Sequence, residues 1–112
     1  MLSIVIAAYN EELRIGNSLV RIDKYLKTRN VDTEIIVVDD GSTDNTAKDI
    51  EEVAANASQV CMVRHRKNKG LTEALVTGFS HASGEIIIFL CADLQSDPEE
   101  DIPKLVKGIN AG

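Results

Sequence analysis

Four short stretches of this chain carry residue types that could do chemistry, and each follows an apolar run. Ala8-Tyr9-Asn10-Glu11-Glu12 offers an aromatic ring and two carboxylates, and Asp39-Asp40-Gly41-Ser42 offers two more. Arg64-His65-Arg66-Lys67-Asn68-Lys69 is a compact basic run in a chain whose net charge is −6. Cys91-Ala92-Asp93-Leu94-Gln95 sets an acid and an amide one residue apart, directly after the most apolar run of all. Carboxylate and amide oxygens hold a hard divalent cation, and such a cation bridges phosphates. Lys, Arg and helix N–H groups take up the remaining charge. A ligand with a base, a sugar and a metal-bridged diphosphate would engage all four stretches, provided the fold gathers them.

The elements between these stretches predict that it does. Leu2 to Ala8, Glu34 to Asp39, Val60 to Val63 and Glu85 to Cys91 are short runs rich in β-branched residues. They are continuously apolar rather than alternating, as strands buried on both faces must be. Between them the apolar period becomes helical. Ile15, Leu19, Ile22 and Leu26 form one face, with Asn10 as N-cap and Glu11 and Glu12 in the first turn. Ala47, Ile50, Val53, Ala54 and Ala57 form a second face. Leu71, Ala74, Leu75, Gly78, Phe79 and Ala82 form a third, closed by Gly84 as C-cap. Asp97 and Pro98 open a last helix, which Pro103 bends or shortens. The order β-α-β-α-β-α-β-α predicts an α/β, Rossmann-like parallel sheet of about four strands with helices on both faces. In such sheets ligands bind beyond the carboxyl ends of the strands, near the point where strand order reverses. All four polar stretches fall at those ends.

Bulk properties narrow the function classes. A chain of 112 residues forms one domain, residues 1–112, and 44% hydrophobic with 27% charged residues is ordinary for a globular protein. No apolar run approaches the roughly 20 residues needed to span a bilayer. The N-terminal MLSIVIAAYN reads as a strand, without the basic start and cleavage site of a signal peptide. Cys61 and Cys91 both lie in strand-like runs and are expected as free thiols in a cytoplasmic setting. The acidic balance argues against nucleic acid as a partner.

Each stretch also has a plainer reading. Asp39 and Asp40 could only end a strand and begin a turn, Tyr9 could be a core-edge aromatic, and the basic run could be a solvated loop. Asp93 could be an ordinary strand-end acid. DDGSTDNT is not a calcium loop, because the alternating ligand spacing and sixth-position glycine are absent. His65 and His81 stand isolated, with no zinc-ligand companion at useful spacing. No Walker loop, GxGxxG fingerprint or nucleophile elbow occurs, nor a glycine-rich nucleotidyltransferase signature near the N-terminus. The argument rests on convergence at one sheet edge.

The segments SIVIAAYNEE, EIIVVDDGSTDNT, NKGLTEALVTGFSHASGEIIIFL and ADLQSDPEEDIPKL, in that order, resemble family-2 glycosyltransferases of the GT-A fold. They are most similar to the branch of dolichyl-phosphate mannose synthase and related polyprenyl-phosphate glycosyltransferases. The resemblance implies that this chain is the nucleotide-sugar-binding half of such a fold, with strand order 3-2-1-4 and a GDP- or UDP-sugar as ligand. It implies nucleotide-binding roles for Ala8, Tyr9, Glu11, Asp39, Asp40, Lys69, Ala92 and Asp93. Tyr9 and Glu11 would flank the base and ribose, and Asp39 or Asp40 would contact one of them. It further implies Mg²⁺ or Mn²⁺ on the diphosphate, held by Asp93 and Gln95. Transfer to a polyprenyl phosphate at the cytosolic membrane face would need the acceptor-binding half, which the family carries beyond the position of Gly112. Two positions depart from the pattern: Ala7 replaces a common proline, and Cys91 replaces the first acid of the Asp-x-Asp metal motif. A thiol is a poor ligand for Mg²⁺ or Mn²⁺. The alternative function is therefore a non-catalytic nucleotide-binding or interaction paralogue with a relaxed metal motif. The strand-order expectation also leaves strand 85–91 as an apolar edge, predicting self-association or a partner chain there.

Overall fold

The computed structural model describes residues 1–30 and 32–91. The elements run β1 (Leu2–Ala8), α1 (Ile15–Arg29), β2 (Thr33–Asp39), α2 (Thr46–Asn56), β3 (Val60–Arg64), α3 (Leu71–His81) and β4 (Ile86–Cys91). The expected last helix at Asp97, and the candidate residues Ala92, Asp93 and Gln95, lie outside the described residues.

All strand pairs are parallel, and the sheet order is β3-β2-β1-β4. This is the doubly wound arrangement that continuous apolar strands predict. On one face, Leu2, Ile4, Ile6 and Ala8 of β1 join Ile35 and Val37 of β2 against the four core residues of α1 and Ile50 of α2. On the other, Ile36 and Val38 meet Ala74 of α3. Strand order reverses between β1 and β4, so the carboxyl ends of these two strands flank the switch point.

Three local expectations fail for physical reasons. Asn10 does not cap α1, which starts at Ile15, and Glu11 and Glu12 precede it rather than form its first turn. Asn10 instead adopts a left-handed conformation at φ 51° and serves a neighbouring loop. Gly84 is not the C-cap of α3, a position held by Ala82. A Cβ on Gly84 would lie 2.6 Å from Ser3 Oγ and 2.7 Å from the Met1 carbonyl, so this glycine permits close backbone packing at the start of β1. The inner face of α3 is also narrower than its period implies. Only Ala74 and Gly78 are buried, while Leu71 and Phe79 are each 58% exposed.

The small residues explain how α3 seats. A Cβ on Gly78 would meet Val5 Cγ1 at 2.2 Å and Val38 Cγ2 at 3.3 Å, so the helix backbone presses directly on the sheet. Valine rotamers are stiff and cannot yield cheaply. Gly78→Ala is therefore expected to destabilise the fold by about 1–3 kcal/mol, despite the better helix propensity of alanine. Urea unfolding would show this as a lower midpoint at constant slope; an unchanged midpoint would mean that α3 is free to lift off the sheet.

Candidate functional site at the carboxyl edge of the sheet

Register aligns the strand ends. Ala8 pairs with Asp39, Asp39 with Arg64, and Ala7 with Cys91. The segments after β1, β2 and β3 therefore start side by side: Asp40 N–H donates to the Ala8 carbonyl at 2.8 Å, and His65 N–H to the Asp39 carbonyl at 2.9 Å. Of the candidate residues, Ala8, Tyr9, Glu11, Asp39, Asp40 and Lys69 all lie on this edge. Among the described residues no group of three or more His, Cys, Asp or Glu side chains could hold a metal ion.

The loop after β1 is held by side chains of the loop after β2 and of the first turn of α2. Asn10 N–H donates to Ser42 Oγ at 3.0 Å and Glu11 N–H to Thr46 Oγ1 at 2.8 Å. Glu12 and Leu13 N–H follow with longer bonds of 3.4 Å to Asp44 Oδ2 and Asp49 Oδ2. In return, Asn10 Oδ1 accepts the Thr43 N–H at 2.9 Å. This zipper accounts for two left-handed non-glycine residues, Asn10 and Leu13 at φ 51° and 74°. A leucine in that conformation is strained and persists only where its surroundings fix it. Tyr9 is left 43% exposed at the edge. Glu11, just beyond it, pairs with Arg14 at 3.1 Å.

The two aspartates after β2 differ sharply. Asp39 is fully buried, and its Oδ1 accepts the Ser42 N–H at 3.2 Å. Its Oδ2 lies 3.2 Å from Arg64 Nε but accepts no aligned hydrogen bond among the described residues. Asp40 is 3% exposed and saturated. Its Oδ1 accepts from the Lys69 N–H at 2.9 Å and faces His65 Nδ1 at 2.8 Å; its Oδ2 accepts from the Gly70 N–H at 2.9 Å and Asn68 Nδ2 at 3.1 Å. Burial alone would raise the Asp40 pKa, but the bonds from His65, Lys69 and Gly70 outweigh it and hold the carboxyl below its ordinary value. An ionised carboxylate only accepts, so His65 Nδ1 carries the proton. His65 is thus not isolated: it is 8% exposed, and its Nε2 lies 2.8 Å from Thr77 Oγ1 of α3. Gly41, at φ 73°, completes the corner, since a Cβ there would sit 2.3 Å from the Lys67 carbonyl carbon. The plain loop reading of the basic run is therefore incomplete. Its cationic side chains are exposed, but its backbone is tied to Asp40.

Sequence reasoning passed over Asp44, Thr46 and Thr77, placed Ser42 at the strand end without a partner, and read His65 as isolated. One sign was available. Ser42-Thr43-Asp44-Asn45-Thr46 supplies more capping side chains than one helix needs, and the surplus serves the loop after β1.

The chain is similar to known proteins in sequence and in fold. The family described as Glycosyl transferase family 2 matches residues 3–112. The chain is 42% identical over 111 residues to an undecaprenyl-phosphate 4-deoxy-4-formamido-L-arabinose transferase of Klebsiella pneumoniae, covering 98% of this chain and 34% of that protein. It is 40% identical over 110 residues to a dolichol-phosphate mannosyltransferase of Pyrococcus furiosus, covering 98% and 30%. It thus spans about a third of the length of these curated relatives. Among solved structures, the mannosyltransferase PcManGT from Pyrobaculum calidifontis in complex with GDP-Man and Mn²⁺ superposes with a TM-score of 0.82 at 28% identity, covering 95% of this chain and 31% of that one.

The zipper makes a specific prediction. Thr46→Val keeps the shape of a fully buried side chain but leaves the Glu11 N–H without its acceptor. The expected loss is about 1–3 kcal/mol of stability, with faster amide exchange at Glu11 and Glu12 than in the core of α1. Uniform exchange across both regions would mean that the zipper does not hold the loop.

Proposed function

The chain belongs to glycosyl transferase family 2, and from that premise we propose that it is the donor-binding part of a polyprenyl-phosphate glycosyltransferase, taking a GDP- or UDP-sugar at the carboxyl edge of its sheet. The observation that carries this reading is the gathering of Tyr9, the incompletely satisfied Asp39 and the exposed basic loop on one edge. Tyr9 and Glu11 flank the base and ribose, and Ala8 is part of the nucleotide site. Asp39 offers an acceptor to a base or ribose donor, while Asp40 acts through the loop it holds. Lys69, Ala92 and Asp93 belong to the same nucleotide site. Asp93 and Gln95 are the residues that would hold Mg²⁺ or Mn²⁺, which when bound supplies positive charge to the departing nucleoside diphosphate.

Transfer would proceed with inversion once a further part of the protein presents the acceptor. A polyprenyl monophosphate has a second pKa near ~6 and is largely dianionic at neutral pH. No strong general base is then required, and the protein's task is alignment and charge stabilisation. The chain would work peripherally at the cytosolic face, where such an acceptor is presented. Among the described residues no helix is long and apolar enough to cross a membrane.

Cys91 favours a second reading, a nucleotide-binding paralogue without catalysis, because the thiol stands where the family places an acid. Calorimetry separates the two. Saturable binding of GDP or UDP that strengthens with Mn²⁺ is expected for a donor site, and no binding at millimolar ligand would overturn that assignment. Cys91→Asp should tighten the Mn²⁺-dependent binding roughly tenfold, about 1.4 kcal/mol; unchanged affinity would remove the cation from this position.

The edge position of β4 supports a further part of the proposal, that a second copy covers it. Phe89 is 45% exposed and, with Leu75, Val76 and Phe79 of α3, lines an apolar depression of about 290 Å³. Unpaired apolar edges seek partners. Sedimentation at high concentration is expected to show a dimer whose β4 amides are protected. A monomer with freely exchanging β4 amides would refute this.

A further inference from the structure

We infer that the groove between α1 and α2 is a docking site for a basic amphipathic helix of a partner chain. The groove has a volume of about 490 Å³ and lies on the layer opposite α3. Leu13, Gly16 and Val20 line one wall and Val53 the other. From Gly16 to Asp23 on α1, and from Asp49 to Ala57 on α2, it extends roughly 10–12 Å, about two helical turns. Two residues at its mouth point outward from the chain, because each costs the fold stability and gains no internal packing. Leu13 is held left-handed at φ 74°, a conformation disfavoured for any side chain, yet it is 84% exposed. Gly16 stands in the first turn of α1, where alanine would serve the helix better. Unlike Gly78 and Gly84, it is not crowded: a Cβ there would meet nothing within 4 Å. Val20, one turn beyond Gly16, is itself 51% exposed. The fold uses neither the Leu13 side chain nor the space at Gly16, and a docked apolar side chain uses both.

The rim identifies the occupant by its charge. Asp23, Asp49 and Glu52 line the groove, and no Lys or Arg does. Asp23 is met by Lys27 at 3.1 Å, whereas Glu52 is exposed and makes no ion pair among the described residues. Asp49 joins the two features, since its Oδ2 accepts the Leu13 N–H at 3.4 Å. An apolar floor beneath an acidic rim complements a helix with large apolar residues at i, i+4 and i+7 and Lys or Arg on its flanks. The same rim repels anionic lipid and nucleic acid. Both walls are helices whose backbone groups bond within the helix, so an added strand would find no ladder to join. The inference stands independently of the donor site, which lies at the carboxyl edge.

The test is amide chemical-shift titration of the full chain with a helical leucine–lysine peptide whose leucines stand at i, i+4 and i+7. A scrambled peptide of the same composition, its leucines spread around the helix, controls for charge alone. Shift changes are expected at residues 13–23 and 49–57. Leu13→Asn supplies a residue that tolerates left-handed backbone, and Gly16→Leu fills the groove without an internal clash. Each is expected to weaken peptide binding about tenfold, equivalent to about 1.4 kcal/mol, with the scrambled peptide weakened at least as much. Neither should lower the urea midpoint, which separates lost docking from lost folding. Glu52→Lys should reduce affinity and flatten its dependence on salt. Equal binding of the two peptides, no binding at millimolar peptide, or unchanged affinity in Leu13→Asn and Gly16→Leu overturns the inference. Leu13-dependent binding of phosphatidylglycerol vesicles, or Leu13-dependent self-association, gives the groove a different occupant and overturns it equally.

Discussion

A carboxylate taken out of water must find donors, and the edge of this sheet is arranged around that requirement. β2 runs directly into two consecutive aspartates, both buried. Unpaired, each would destabilise the fold by several kcal/mol or give up its charge. The chain answers with backbone more than with cations. The Ser42 N–H reaches Asp39, and the Lys69 and Gly70 N–H groups reach Asp40. Because backbone donors are fixed by chain path, satisfying these carboxylates also decides the course of the loops around them. Among the described residues, the cation close to Asp39 is Arg64, which is half exposed and does not complete its hydrogen bonding. That leaves Asp39 as the member of the pair with an unfilled acceptor among the described residues.

The same short segment therefore governs both neighbouring loops. Toward β1, Ser42, Asp44, Thr46 and Asp49 accept successive N–H groups of residues 10–13 and sustain two left-handed residues there. Toward β3, Asp40 and Gly41 fix residues 65–70. A change in the turn after β2 would reach Tyr9 on one side and the basic run on the other. Coupling of this kind needs no motion, only shared hydrogen bonds.

The fold was legible in the sequence because it follows from apolar period. Ile15, Leu19, Ile22 and Leu26 are all buried, and the strands appear where β-branched runs stand. The site was half legible. Residue types at strand ends located the edge, but they did not reveal that Asp40 faces inward while Asp39 keeps an open acceptor. Nothing in the spacing of His65 pointed to Asp40, 25 residues earlier, or to Thr77 on a different element. The misplaced start of α1 has the same origin. Asn10 and Glu11 look like a cap and first turn by type, yet the zipper draws their N–H groups to another loop. Long-range partners for backbone donors leave no periodic trace.

α3 shows what this arrangement means for the whole domain. A helix such as α1 buries four large side chains, each worth about 1.5–3 kcal/mol. α3 buries only Ala74 and Gly78 and leaves Leu71, Val76 and Phe79 in solvent. Apolar burial is therefore a weak anchor for it within the described residues. Its position depends more on close backbone approach at Gly78 and on two polar contacts, from Gly70 at its start to Asp40 and from Thr77 past its middle to His65. The helix that follows the basic loop is thus held by the same buried carboxylate as the loop itself. Among the described residues the exposed apolar side of α3 adjoins β4 through Phe79 and Phe89. Close backbone approach and two polar contacts thus carry a helix that buries little apolar surface among the described residues.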